Sequence, residues 1–483
     1  MLQKLPQELL DIIIGQISFD DVKSLSLVSK QLHSATLQII WRSVFVYVDL
    51  RFTTKRGSRG CPHSRRLQAS LDFEESDESI ADEQAPFGRF MERLRHLQWR
   101  GLNTDNLEAL SSALENNKGH LETLEINLVH WKSLRQALGY ENDNQRVNEM
   151  RARDYIEKVV FGLNKYSPGL VFPSMHTLVL ERVALTGTLA HSLDFKVLRS
   201  LTIRLCPQWY DFIKAINQLK IHPKLKRLEI QEAWPRPEGI SVLEHDPILL
   251  LLESIEGLEE LYIGQSGEGY SRTPWEYAEW SGSTLKRYVN HTRLWEESIG
   301  WTDASNSWYG YDHVEEYKLD HLEFIGLSCE QFDLEWVFPP YETKDCLKVV
   351  HVRQSTRFED DGYSWAIRRQ HVITTARTIP IDGPVDLPRD CLVPQFYRFV
   401  QWAFGEEGIQ SLQYILYGDF SRGESCDRTN LLFCRDDIDE DRVQDFRIIR
   451  ETAAGPEWDY VKREYGSAMS CCPLDPLFEV PNR

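Results

Sequence analysis

No stretch of this sequence is long and apolar enough to cross a bilayer. Its most apolar run, Pro247 to Leu252, is six residues, where a spanning helix needs about 20. The N-terminus lacks a basic segment followed by an apolar core and a small-residue cleavage site, so no secretory leader is expected. Cysteine is scarce: nine in 483 residues, too few for a disulfide scaffold and odd in number. Reduced thiols in cytoplasm or nucleus fit that usage. Positive charge is short too. Lys and Arg number 55 against 74 Asp and Glu, a net charge of -19. Such a surface repels phosphate backbones and anionic membranes, so neither nucleic acid nor membrane is an expected partner.

Signatures of catalysis and cofactor binding are missing as well. There is no Gly-rich loop ending in Lys-Ser or Lys-Thr, and no dinucleotide Gly fingerprint after a strand. Gly264-Gln265-Ser266-Gly267 misses the nucleophile-elbow spacing, because Glu268 stands where the second Gly belongs. Cys61 and His63 are close but have no second ligand pair at zinc spacing. Cys471 and Cys472 are adjacent with no nearby His. The expectation is no catalytic residue, no metal and no cofactor.

What is present is ordinary for a folded protein: 42 % apolar and 27 % charged residues. The length suits about two to four domains, or one long repeat array.

Residues 5–48 read as three helices and a strand. Pro6 suits a first helical turn and Glu8 complements its dipole. Leu9, Ile13 and Ile17 share a face. Ser18 can cap a second helix carrying Val22, Leu25, Val28 and Leu32, and a third short helix carries Leu37, Ile40 and Trp41. Val44, Val46 and Val48 alternate with Phe45 and Tyr47 as in a strand. Of these 44 residues 23 are apolar, against 42 % of the chain. A unit this small cannot bury that surface internally, so part of it must face a partner or the rest of the chain.

The run Leu5-Pro6-Gln7-Glu8-Leu9-Leu10, with Ile13, Ile17, Asp21, Leu25, Leu27 and Val28-Ser29-Lys30-Gln31-Leu32, closing at Trp41, resembles the F-box pattern. Leu32 departs from it, since many members carry an aromatic residue there. The resemblance covers about a tenth of the chain. It implies docking on the SCF adaptor, and through it on a cullin, by way of Leu5, Pro6, Leu9, Ile13, Leu25, Val28 and Ser29.

Residues 51–66 hold six basic residues and residues 72–83 seven acidic ones. Blocks of like charge usually stay solvated, so residues 49–86 read as a charged flexible linker. Ser76 and Ser79, in their acidic context, are candidate phosphorylation sites, and the basic run could serve as a weak nuclear-import signal.

Beyond it one phrase recurs: apolar, two residues, apolar, one residue, apolar. It is seen at Leu94, Leu121, Met175, Leu198, Leu225 and Leu258, with weaker copies opening at Leu285, Leu319, Leu347 and Ile409. The spacings are 27, 54, 23, 27, 33, 27, 34, 28 and 62 residues. Leucine-rich repeats run about 20–29 residues and open with this phrase on a strand. Helical spacing fills the gaps at Leu107-Leu110-Leu114, at Phe212-Ile213-Ile216-Leu219 and at Val242-Leu249-Leu252-Ile255. The expected fold is α/β: the three-helix F-box, then an irregular leucine-rich-repeat-like solenoid whose parallel strands line a partner-receiving concave side, then a C-terminal cap. The boundaries read are 1–48 F-box, 49–86 linker, 87–355 solenoid, 356–468 capping region and 469–483 loose tail.

Trp275, Tyr277, Trp280, Tyr288, Trp295, Trp301, Trp308, Tyr309 and Tyr311 crowd one stretch among acidic residues. Such a stretch either binds a basic peptide or roofs the end of a core. An F-box followed by an irregular leucine-rich array resembles F-box receptors, most of all those of filamentous fungi. The resemblance implies a non-catalytic substrate receptor of an SCF-type ubiquitin ligase, acting in cytoplasm or nucleus on a protein substrate. No substrate-binding residue can be named from the sequence. Two alternatives stand beside it: an adaptor-binding scaffold outside ubiquitination, and an α/β enzyme whose first helices merely pack.

Overall fold

The computed structural model describes residues 43–47, 94–100, 104–128, 156–163, 171–232, 246–266, 274–281, 284–296, 300–304, 321–327, 334, 338, 345–353, 394–421, 430–436, 446–451 and 455–473. They fall in two units, Met1–Ser200 with Cys206–Lys220, and Leu201–Leu205 with Ile221–Arg483.

In the first unit four strands lie side by side in chain order: β1 (Ser43–Tyr47), β2 (His96–Arg100), β3 (Thr123–Asn127) and β4 (Thr177–Glu181), each pair parallel. Parallel neighbours require a crossover. Helix α1 (Thr104–Asn117) connects β2 to β3. Helices α2 (Gly187–His191) and α3 (Trp209–Gln218) follow β4. Alternation decides which side chains go in. Leu124 and Ile126 of β3 are buried, while Thr123, Glu125 and Asn127 are partly exposed. Leu97, Leu124 and Leu178 stand in register as one inward row.

The second unit holds β5 (Ser200–Arg204), β6 (Arg227–Gln231), β7 (Glu260–Ser266), β8 (Arg287–Glu296), β9 (Gly300–Ala304), β10 (Phe324–Leu327), β11 (Val349–Val352), β12 (Tyr414–Tyr417), β13 (Leu431–Arg435) and β14 (Phe446–Arg450). The strand order is β5-β6-β7-β8-β10-β11-β12-β13-β14. It is parallel from β6 to β12 and antiparallel from β12 to β14. Strand β9 pairs antiparallel with the end of β8. Its helices are α4 (Pro247–Ser254), α5 (Pro274–Glu279), α6 (Pro394–Phe404) and α7 (Pro456–Met469). Asp246 caps α4, its carboxylate accepting from the Ile248 N–H at 2.8 Å, with Pro247 in the first turn. The end of α6 is closed by Arg435, whose guanidinium donates to the carbonyls of Phe404 and Ile409 at 2.9 and 2.7 Å.

One hydrogen-bond pattern ties the recurring phrase to the strands. The carbonyl of the phrase's second residue accepts two N–H groups from the next phrase. Arg95 O takes Glu122 N and Thr123 N at 2.8 and 2.9 Å, and Lys226 O takes Glu259 N and Glu260 N at 2.9 and 3.0 Å. The same pair of bonds recurs at Glu122, His176, Glu259, Lys286, Glu323 and Lys348. This register corrects two copies of the phrase. Leu322, Ile325 and Leu327 take the apolar positions on β10, not Leu319, Leu322 and Phe324. Leu412, Ile415 and Tyr417 take them on β12, not Ile409, Leu412 and Tyr414. Both sequences offer two apolar triplets three residues apart, and only pairing with the neighbouring strand selects one.

Among the described residues no helix is long and apolar enough to cross a membrane.

Candidate functional site

The residues expected to hold the adaptor, Leu5, Pro6, Leu9, Ile13, Leu25, Val28 and Ser29, lie outside the described residues, as do Cys61, His63, Ser76 and Ser79. The chain emerging from that segment enters β1 at Ser43, and β1 is hydrogen-bonded to β2. The charged stretch 49–86 therefore falls in the connection between two neighbouring strands of one sheet.

In the second unit the strand face opposite the helices was expected to receive a partner. It is occupied by the chain itself. Helix α7 lies across it, and Trp458, Val461, Tyr465, Ala468 and Met469 pack on Tyr262, Val289, Phe324, Val349, Leu416 and Leu432. Those strand residues come from six strands, and all are fully buried. The Tyr465 ring stacks on Phe324 at 5.5 Å, and the Trp458 indole N–H donates to Arg450 O at 2.9 Å. The region read as a cap thus covers a face rather than an end. The positions between the two inward residues of each strand change accordingly. On β3 and β4 they are Glu125 and Val179, both partly exposed. On β7, β8 and β12 they are Tyr262, Val289 and Leu416, all buried.

Past α7 the chain is anchored instead of loose. Cys471 and Cys472 are fully buried, which corrects the reading of residues 469–473 as tail; residues 474–483 lie outside the described set. The Cys472 N–H donates to Glu229 Oε1 at 2.7 Å, and Gln231 Nε2 donates to Pro473 O at 2.7 Å. Gly264 leaves room for this: a Cβ there would lie 3.2 Å from both Cβ and Sγ of Cys472. Glu229 is fully buried, and burial pushes its carboxyl up. The charge and two hydrogen bonds of Arg204, at 2.7 and 3.0 Å, outweigh that, joined by Arg227 and the Cys472 amide. The net result lies below the usual carboxylate range, so Glu229 is ionised and holds the chain end by charge-assisted bonds.

A second buried charge holds the same segment. Arg353 donates through Nη1 to Cys471 O at 2.9 Å and to His291 Nδ1, and through Nη2 to Asp419 Oδ1 at 3.0 Å and Ser421 Oγ at 2.5 Å. Arg353 and Asp419 side chains are both fully buried. Guanidinium has no acceptor, so His291 Nδ1 must be the lone-pair nitrogen and that ring is neutral with its proton on Nε2. His351 donates from Nε2 to Gly418 O at 3.0 Å. Gly418 has φ +128°, and a Cβ there would come within 2.1 Å of Asn430 Oδ1, so only glycine fits this turn. Titratable groups converge here as they would in an enzyme, but none is open to solvent. What they grip is the backbone after α7.

His351 makes this region sensitive to pH. Burial drives its pKa from 6.5 down to about 4; the Gly418 bond opposes this, Arg353 adds to it, and Asp419 opposes it. The unfolded chain binds the proton near 6.5 and the folded chain does not until about 4. Stability from this group is therefore whole above pH 6.5 and is lost as pH falls towards 4: roughly 2 kcal/mol by pH 5 and about 3 in full. Urea unfolding at pH 7.5 and 5.0 should show that loss in the natural chain. It should be smaller in His351→Gln, which keeps a donor for Gly418 O; an equal loss in both would assign it to other groups.

The aromatic stretch divides. Tyr277 and Tyr288 are core, Trp295 and Trp301 are backbone register partners on β8 and β9, and Trp280 is 51 % exposed. Trp308, Tyr309 and Tyr311 lie outside the described residues.

Two parts of the site escaped the sequence reading. Helix α7 was legible, since Trp458, Val461, Tyr465 and Ala468 recur at helical spacing behind Pro456. The partners of Glu229 and Arg353 were not, because 243 and 118 residues separate Glu229 from Cys472 and Arg353 from Cys471.

Comparison with known families matches residues 2–43 to the F-box domain. No curated protein matches the sequence. F-box domains bind SCF adaptors, and the proteins carrying them are generally non-catalytic subunits of ubiquitin ligase complexes.

Proposed function

We propose that this chain is a substrate-receiving subunit of an SCF-type ubiquitin ligase, acting in cytoplasm or nucleus. The F-box match at residues 2–43 carries the reading. Leu5, Pro6, Leu9, Ile13, Leu25, Val28 and Ser29 would dock on the adaptor, which brings a cullin. The region from Leu94 onward, read as a leucine-rich-repeat-like array, would hold a protein substrate. Support for that array is the repeated two-donor bond at the strand starts and the parallel order of successive strands. Catalysis by such a subunit is proximity: it raises the concentration of a substrate lysine near the charged ubiquitin-carrying enzyme.

The test is an affinity pull-down of the full chain beside Leu5→Ala/Pro6→Ala/Val28→Ala, read by mass spectrometry. The natural chain is expected to bring down adaptor and cullin, and the variant to lose both. If the natural chain brings down no adaptor, the reading fails.

A further inference from the structure

Lysine and arginine are unevenly placed along the chain. Residues 349–483 hold one lysine, Lys462, and 15 arginines; residues 1–348 hold 17 lysines and 22 arginines, which together make the 55 basic residues of the chain. A preference acting on the whole chain would not divide it in this way. The boundary is structural too. It falls at the start of β11, and β11 to β14 stand side by side at the end of the strand order, with α6 and α7 drawn from the same stretch. Among the described residues of the second unit, Lys224, Lys226, Lys286 and Lys348 all come just ahead of a strand, at the edge where β6, β8 and β11 begin. Lys226 and Lys286 pair with Glu259 at 2.9 and 3.0 Å, and Lys348 with Glu323 at 3.2 Å. Lys462 is on α7, its Nζ 2.9 Å from Glu451 Oε1 and 5.5 Å from the centre of the Trp458 ring.

The two cations differ more in chemistry than in charge. A lysine amine that loses its proton is a nucleophile, while guanidinium stays protonated and attacks nothing. Some arginines of this stretch are there for their fork: Arg353 grips Asp419 and Cys471 O, and Arg435 caps α6. Arg398 and Arg463 hold no carbonyl and no buried acid among the described residues. Both are exposed, on α6 and α7, and Arg463, with 68 % of its side chain exposed, contacts Glu464 and Tyr460 of its own helix. Lysine would carry the same charge at either position.

We infer that residues 349–483 face the charged ubiquitin-carrying enzyme during transfer and are kept almost free of acceptor amines, so that ubiquitin passes to the substrate and not to the receptor. The inference rests on the receptor reading above. In transfer a neutral amine attacks the thioester carbonyl that joins ubiquitin to its carrier. The C–N bond forms, the C–S bond breaks, the surplus amine proton goes to solvent and the carrier cysteine leaves as thiolate. Proximity that drives this step on a substrate lysine acts equally on a receptor amine at the same distance. Guanidinium in place of the amine removes the nucleophile and keeps the charge. The one lysine left, Lys462, would first have to leave Glu451.

The test is transfer without substrate. The full chain is assembled into its ligase, co-elution with adaptor and cullin confirms the complex, and ubiquitin, its charged carrier and ATP are added. Mass spectrometry then maps the conjugated lysines. The natural chain is expected to carry no ubiquitin on Lys462. Arg398→Lys/Arg463→Lys is expected to gain conjugate at the introduced amines, where the natural chain has none, and to lose its unmodified form faster. Both changes keep the charge at exposed positions, so folding is preserved. Introduced amines that stay bare, whether or not other lysines are modified, overturn the inference; so does conjugate on Lys462 of the natural chain as abundant as on the lysines before Val349. Failure to co-elute is failure of the receptor reading itself, and it is seen before transfer begins.

Discussion

A chain ending at residue 454 is expected to lose the native fold of its second unit. The cut removes Trp458, Val461, Tyr465, Ala468 and Met469 from a face made of Tyr262, Val289, Phe324, Val349, Leu416 and Leu432. Each of those six would pass from full burial to water, at about 1.5–3 kcal/mol per large side chain. Over six side chains that comes to about 9–18 kcal/mol, the same size as the roughly 5–15 kcal/mol by which whole domains are stable. The truncated chain should bind a hydrophobic dye, lose amide protection on β10, β11 and β12, and aggregate. Trp458→Ala makes the same point without deletion: its indole fills the cluster and donates to Arg450 O, so about 3–5 kcal/mol should be lost. Unchanged exchange protection in the truncated chain would mean that α7 is an accessory and that the face is available to a partner.

Arg353→Ala should cost about 3–5 kcal/mol, the range for breaking one member of a buried ion pair. It leaves Asp419 fully buried without its guanidinium, and it frees the Cys471 carbonyl that holds the end of α7. Adding Asp419→Asn should cost much less than its own single change does, because the charge left stranded is then gone. Urea denaturation of the four members of this cycle measures the coupling. Strict additivity would show that Arg353 and Asp419 act independently, against the 3.0 Å contact between them. The loss should appear in the second unit as faster exchange around Cys471, since the bond broken there belongs to the backbone after α7.

Much of the organisation is written locally. The phrase around Leu121, Leu124 and Ile126 announces a strand with one inward side, because alternation reads directly as two faces. Phe396, Phe399, Val400 and Ala403 announce α6, which ends at Phe404 just before Gly405. The F-box pattern stands in a contiguous run of residues, so sequence comparison reaches it without any structure.

The two-sided burial of the second unit's strands was also legible, though less plainly. Phe324-Ile325-Gly326-Leu327 and Val349-Val350-His351-Val352 are buried at every position. Such continuous runs, unlike the alternation of β3, mark a strand covered on both faces. They say that something covers the second face without saying what.

The sequence by itself determined where most of the strands and several of the helices fall, and the F-box pattern at residues 2–43, since each depends on neighbours a few residues away in the chain. Tertiary structure alone decided which face stays open. Helix α7 reaches the strands from the far end of the chain, and its anchors at Glu229 and Arg353 are ordinary charged residues until Cys471 and Cys472 are brought beside them. Local periodicity shows that a surface must be buried, but the partner that buries it is set by long-range packing, to which short-range spacing is blind.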